Sequence, residues 1–250
     1  MKLSERRQFM KACLAAAVYP ESDQAKGVPQ PSDEKPAGVP EGEWVVLPAP
    51  EGAPLVKSEV VACLAERVSR RKFAEQPVSL VQLSFLLWAS QGLKPLVSES
   101  VARRKRLVPS AGGRHPFETY LVVNAVAGLD PGIYRYVASA HALAFLGAPE
   151  NLSERLTAAT MKQRFCGEAP VTLVWAATPY RTEWRYTDRA AKFILLDAGH
   201  VCQNLYLACE ALGLGTCAIA AYAQDLLDEL LGLDGTDEFA VYLAPVGGAV

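Results

Sequence analysis

The chain has little from which to build a metal site. Its three histidines are scattered, and its six cysteines, at 13, 63, 166, 202, 209 and 217, form no CxxC pair and no finger-like spacing, so no metal cluster is expected. Disulfides are not expected either. Cys202 and Cys209 fall on one expected helix two turns apart, roughly 10 Å by helical rise and too far to bridge. Buried free thiols in a reducing compartment explain this usage. A dominant charge is also missing: the formal net charge is -2, which gives no long-range pull on polyanions and argues against nucleic acid as a partner. No apolar run is long enough to span a bilayer, because the stretch near Leu195 is broken by Asp197, His200, Gln203 and Asn204. A dinucleotide fold lacks its fingerprint. Gly213-Leu214-Gly215 follows a helix pattern rather than a strand, and the third glycine of GxGxxG is absent. No internal repeat is visible.

What is present suits one globular domain with a short extension. The 250 residues are 50% hydrophobic and 21% charged, enough to bury a sizeable core. The start, MKLSERRQFMKACLAAAVYPESD, holds a twin-arginine look-alike around Arg6-Arg7. Its apolar part, Ala12 to Tyr19, is short for an export signal and no A-x-A cleavage site follows. The reading is a retained cytoplasmic extension, with export the alternative. From Ser22 to about Pro54 the chain is rich in Pro, Gly, Glu and Asp, which cannot repay its own ordering entropy. Residues 1–54 are therefore read as an arm, partly irregular, and residues 55–250 as the domain. Trp44-Val45-Val46-Leu47 is apolar enough to dock, for instance on a partner subunit.

Periodicity gives the elements. Val56, Val60, Val61, Leu64 and Val68 recur at three and four, an amphipathic helix ending near Arg67. Ser79 is placed to cap a helix through Trp88 that Gly92 closes. Phe117 to Val123 reads as a strand, and the turn signal at Gly128-Leu129-Asp130-Pro131-Gly132 before Ile133 to Val137 suggests an antiparallel pair. Asn151 can cap a helix through about Met161, and Val171 to Ala176 reads as a buried strand. The longest helix is expected from about Arg189 to Leu212. Ile194, Ala198, Val201, Leu205, Ala208 and Leu212 form a seam along it that must face a packed surface, and its small residues suit close approach across a dimer axis. A strand from Thr216 to Ala221, a helix from Ala223 to Leu231 and a strand from Phe239 to Leu243 complete the order. Helices mixed with a largely antiparallel sheet make this an α+β fold.

Three stretches carry the chemistry. Arg67-Val68-Ser69-Arg70-Arg71 sets two guanidinium groups four residues apart with a hydroxyl between them, the donor set of a phosphate and polyol anchor. Taken singly, each arginine is also consistent with an ordinary polar helix end. Pro109-Ser110-Ala111-Gly112-Gly113 is a small-residue loop whose backbone can approach a flat ligand, and His115 after it reads as a hydrogen-bonding loop residue. The third stretch runs from Asp197 through Thr216, DAGHVCQNLYLACEALGLGT; within it Asp197, His200 and Asn204 share one helical face, either a proton relay or, more simply, a satisfied polar stripe. Arg103-Arg104-Lys105-Arg106 reads as a solvated basic loop, with a phosphate contact the alternative.

In spacing, order and company these stretches resemble the nitroreductase superfamily of FMN enzymes, and within it the SagB-type branch that includes azoline dehydrogenases of peptide-toxin biosynthesis. The likeness runs from about Val56 to Gly247. It implies a central, mostly antiparallel sheet flanked by helices in an intertwined homodimer, with FMN as cofactor and NAD(P)H as hydride donor to a small conjugated acceptor. It also implies that Arg67, Ser69 and Arg71 hold the FMN phosphate, ribityl chain and ring edge, and that Pro109, Ser110, Ala111, Gly112 and Gly113 come from the other subunit. The turn Ala218-Ile219-Ala220-Ala221 offers an amide to flavin N5, at Ala220 or Ala221. Where the SagB branch carries Lys-Tyr, this chain has Arg185-Tyr186. A guanidinium does not release its proton as a buried lysine can, so the azoline reading weakens, while Tyr186 remains a candidate proton donor beside Arg185. The basic residues with which relatives continue past the closing strand are not found after Gly247 in this sequence.

Overall fold

The computed structural model describes residues 21–94 and 106–250. The Arg6-Arg7 motif and the first three residues of the 103–106 basic run lie outside them. In chain order the strands are β1 (Val45–Val46), β2 (Phe73–Ala74), β3 (Val78–Ser79), β4 (Phe117–Val123), β5 (Val126–Ala127), β6 (Gly132–Val137), β7 (Ala142–Gly147), β8 (Val171–Ala177), β9 (Leu214–Thr216) and β10 (Phe239–Ala249). The helices are α1 (Val60–Glu66), α2 (Leu80–Gln91), α3 (Leu152–Ala159), α4 (Arg164–Gly167), α5 (Tyr180–Tyr186), α6 (Ala190–Ala211) and α7 (Gln224–Leu231).

Eight strands form one sheet in the order β1-β7-β6-β4-β8-β10-β2, with β9 also paired to β10, and every pairing in it is antiparallel. The fold is α+β, with helices on a largely antiparallel sheet as the sequence leads one to expect. Side-chain alternation along the central strands divides the core in two. Phe117, Leu121 and Val123 of β4 and Val171, Leu173, Trp175 and Ala177 of β8 face one side, where Leu83, Leu86 and Leu87 of α2 and the seam of α6 cover them. Tyr120 and Val122 of β4 and Val174 and Ala176 of β8 face the other, under Leu156 of α3 and Leu227, Leu230 and Leu231 of α7. A strand covered on both faces reads as a continuous apolar run, and β4 and β8 are buried at every position.

Several sequence expectations hold. Ser79 closes a capping box on α2, accepting from Gln82 N while the Gln82 side chain takes the Ser79 amide. The seam Ile194, Ala198, Val201, Leu205, Ala208 and Leu212 is buried throughout. It packs within its own chain, not across a dimer axis, because α2 and the sheet supply the surface it needs. Asn151 precedes α3 in a left-handed conformation and makes no side-chain cap.

Other expectations are corrected. The apolar stripe of α1 points outward: Val60 is 62% exposed, Val61 73% and Leu64 55%, with only Cys63 buried. The strand expected at 216–221 stops at Thr216 as β9, and Ile219 keeps a single bridge to Leu243. The closing strand runs six residues past Leu243, because Pro245 and Val246 pair with Thr172 and Val171 of β8 and the segment 246–248 also pairs β9. Helix α5 and strand β7 carry no clear periodic signal. Arg106 is buried rather than solvated, donating to the carbonyls of Gln91 at 2.7 Å and Asp33 at 2.9 Å.

The arm is fastened to its own chain. Leu47 is buried and Val45–Val46 extends the sheet edge beside β7. Glu34 accepts the Ala138 amide at 2.6 Å, Lys35 donates its amide to Glu118 at 2.7 Å, and Arg135 donates to the Lys35 and Pro36 carbonyls. Beneath these, Glu118 is paired with Arg181 and Arg135, and Tyr120 donates to Glu238 at 2.8 Å. This charged layer sits against the polar arm, which satisfies groups that would otherwise be buried unpaired.

Candidate functional site

The arginine stretch lies where α1 ends, with Arg67 as the residue that caps it. A parallel bridge joins Ser69 to Thr216 and the Arg70 amide donates to the Thr216 carbonyl at 2.9 Å, so the stretch is pinned beside β9. Its charges are then sorted. Arg70 binds Glu210 at 2.8 Å, and Lys57 takes the other oxygen of the same carboxylate. Burial alone would raise the Glu210 carboxyl, but the hydrogen bonds from Lys57 and Arg70 bring it below its ordinary value. Arg67 meets no carboxylate among the described residues and lies over the Tyr206 ring at 5.2 Å. Arg71 is exposed and likewise meets none.

Tyr206 of α6 organises this end. Its hydroxyl is 2.9 Å from Ser69 Oγ and accepts the Ala218 amide at 2.8 Å, while its ring underlies Arg67. It therefore ties the arginine stretch to the turn 218–221. In that turn Ile219 exchanges hydrogen bonds with Leu243, whereas Ala220 and Ala221 are exposed and their amides bond to no described residue. Sequence reasoning missed Tyr206. Its one signal is a lone aromatic hydroxyl in an Ala- and Leu-rich helix, the kind of residue that hydrogen-bonds when half-buried.

The loop 109–113 assembles elsewhere. Ser110 Oγ donates to Asp197 at 2.5 Å and accepts the His115 amide at 2.9 Å, and the Ala111 amide reaches both Asp197 oxygens at 3.1 and 3.2 Å. The amides of Gly113 and Arg114 close turns to Ser110 and Ala111. Asp197 is buried, which pushes its carboxyl up against the lowering effect of these bonds. Gly112 has φ +58°, and a Cβ there would lie 2.7 Å from the Tyr186 hydroxyl and 3.1 Å from Arg185 Cδ; glycine is required for both reasons. Arg185 lies 5.5 Å over the Tyr186 ring, which packs on Phe193 at 4.6 Å. The predicted residues Arg185 and Tyr186 thus join Pro109, Ser110, Ala111, Gly112 and Gly113. Of the polar stripe, Asp197 holds this loop, Asn204 donates to the Ala89 carbonyl at 2.9 Å, and His200 is exposed.

Asp197 and Tyr206 are nine residues apart on one helix. That is about 13 Å of rise and two and a half turns, so the two clusters face opposite sides of α6. Five cysteines, at 63, 166, 202, 209 and 217, are buried and free, and no group of potential metal ligands occurs among the described residues. No described helix is long and apolar enough to cross a membrane.

The chain belongs to the nitroreductase family, whose profile matches residues 64–248. It is 34% identical over 184 residues to a protein of Methanocaldococcus jannaschii that bears a provisional nitroreductase name, covering 74% of this chain and 88% of that protein. A solved structure from Ralstonia eutropha JMP134, also provisionally named a nitroreductase, superposes with a TM-score of 0.68 at 30% identity over 86% of this chain and 94% of the other. The trifolitoxin-processing protein TfxB of Rhizobium leguminosarum bv. trifolii is 28% identical over 141 residues, 55% of this chain but 38% of TfxB. The last likeness supports the SagB-type resemblance read from the sequence.

Proposed function

We propose that this nitroreductase-family oxidoreductase uses FMN to pass a hydride from NAD(P)H to a small conjugated acceptor such as a nitroaromatic or quinone, with each site completed by two copies of the chain. One observation carries the reading: Arg67 and Arg71 meet no carboxylate among the described residues, while Arg70 between them is paired with Glu210. Two guanidinium groups and Ser69 Oγ match a phosphate and the polyol next to it. The exposed amides of Ala220 and Ala221, held by Tyr206 through the Ala218 amide, match a flat ring's hydrogen-bond acceptor. The donor set therefore fits the cofactor.

When bound, FMN supplies the two-electron hydride chemistry, which no side chain can. Arg67 and Arg71 balance its phosphate. The loop 109–113, fixed through its Ser110 hydroxyl and Ala111 amide by Asp197, serves as a rigid wall, and Gly112 lets that wall approach closely. Tyr186 beside Arg185 is the candidate source of the proton that must accompany hydride reaching the acceptor. Because the anchor and the loop lie on opposite sides of α6 within one chain, a homodimer that brings the loop of one copy to the anchor of the other supports a single shared site. The exposed Val60, Val61, Leu64, Leu195 and Leu196 supply apolar surface for such an interface.

The visible spectrum of the purified protein, followed by anaerobic titration with NADH and NADPH and then by nitroaromatic and quinone acceptors, tests this directly. A yellow protein bleached by one donor and recoloured by an acceptor is expected. A colourless protein that takes up no added FMN would overturn the cofactor, and a yellow one that no donor bleaches would leave a flavin-binding protein without turnover. The second reading, oxidation of azoline heterocycles in a peptide or metabolite, draws on the likeness to TfxB. Against it stands Arg185 in place of a lysine, and its test is co-purification of a peptide-recognition partner.

A further inference from the structure

A cavity of about 580 Å³ lies outside both clusters, within the size range of small-molecule sites. Its walls include Tyr180 and Glu183 of α5, Ile194 and Leu195 of α6, and Asp237 and Phe239 at the entry to β10. None of the anchor or loop residues lines it. Along β10, Phe239 is four residues before Leu243, the partner of Ile219, so the cavity sits roughly 13 Å by strand rise from the turn that carries Ala220. Its Tyr180 wall is held in place by the arm: Tyr180 donates its hydroxyl to Asp23 at 2.8 Å, and the Gln24 amide bonds the Trp184 carbonyl at 2.9 Å.

The lining is mostly apolar, yet its two charged groups are both acids. No lysine, arginine or histidine lines it, and the side-chain carboxylates of Glu183 and Asp237 make no hydrogen bond or ion pair among the described residues. Burial raises the Glu183 carboxyl and the nearby Asp237 charge raises it further. Two like charges at the edge of an apolar, aromatic-walled cavity lack the cation that would compensate them. Tyr180 and Phe239 put two aromatic rings in the lining, and aromatic rings attract an organic cation in preference to an anion.

We propose that this cavity binds an organic ammonium ion with an aromatic or similarly compact apolar body, its charge held between Glu183 and Asp237. Calorimetric titration of the full-length protein with benzyltrimethylammonium and with benzylsulfonate, equal in body and opposite in charge, tests it. The cation is expected to bind at least about tenfold more tightly than the anion, and a Glu183→Gln, Asp237→Asn variant to lose about tenfold in cation affinity and most of the preference. Both substituted residues are exposed, and unchanged near-ultraviolet circular dichroism checks that the variant is folded. Equal binding of the two probes, no binding of either, or a preference that survives in the variant each overturns the proposal. The measurement needs no flavin, so a colourless protein that still selects the cation would sink the redox reading and leave this site standing.

Discussion

The two ends of α6 use similar polar chemistry to opposite effect. At the Asp197 end the side-chain groups are committed to the loop itself: the carboxylate holds the Ser110 hydroxyl and the Ala111 amide, and the Ser110 oxygen holds the His115 amide as well. At the Tyr206 end one arginine is paired with Glu210 while Arg67 and Arg71 face no acid among the described residues. A saturated network keeps a loop in shape. An unsaturated one keeps its capacity for a ligand. Residue type alone does not separate these roles, and only the accounting of partners does.

The sharpest way to break this contrast is at its saturated end. Asp197→Ala leaves the Ser110 hydroxyl and the Ala111 amide without their acceptor, so a loss of about 3 kcal/mol is expected, read as a melting temperature lower by roughly 10 °C. A melting curve that does not move would show the loop to be held by something else. At the unsaturated end, Arg67→Ala should leave apo stability nearly unchanged and weaken FMN binding by about 2 to 3 kcal/mol, about 30- to 150-fold, measured by flavin fluorescence on dilution. Undiminished retention would remove Arg67 from the anchor.

Tyr206→Phe tests the link between the arginine stretch and the 218–221 turn. It removes one hydroxyl that serves both Ser69 and Ala218, so FMN affinity is expected to fall about five- to tenfold, with about 1 kcal/mol lost in stability. The smallest effect concerns pH. Glu210 has a depressed carboxyl in the folded state, so its contribution is present above the ordinary value of 4.5 and is lost as pH falls through the lower folded value. Glu210→Gln should therefore flatten the acid limb of a melting-temperature profile below about pH 4.5 while lowering stability near neutrality. Parallel acid limbs in the two proteins would show the ion pairs to be inert.

Much of the fold was legible because burial leaves a simple pattern. Strands β4 and β8 are rich in apolar residues and buried at every position since both faces are covered, and the α6 seam repeats at helical spacing since one side of it meets α2 and the sheet. Where partners rather than patterns decide, the sequence was silent. The stripe on α1 announces an apolar face without saying what covers it. Helix α5 hides because its buried positions include Arg181, a charge neutralised by Glu118 of strand β4. Strand β10 continues through Pro245, Gly247 and Gly248, residues that normally punctuate, because β8 and β9 supply pairing on both edges. For the site, the arginine stretch and the glycine loop stood out as motifs and Asp197 as part of a polar stripe, whereas the partners of Asp197 and the role of Tyr206 emerge only from their contacts.

The polar arm gives the domain a boundary that homology does not. The profile match begins at residue 64, yet Glu34, Lys35 and Pro36 reach Ala138, Glu118 and Arg135 on the far side of the sheet. A version trimmed to the matched region would open Glu118 and Arg135 to solvent on one flank and strip the sheet of its outermost strand. The contacts that cover this flank therefore begin well upstream of the shared segment, and the lead-in lies over the sheet as a clasp.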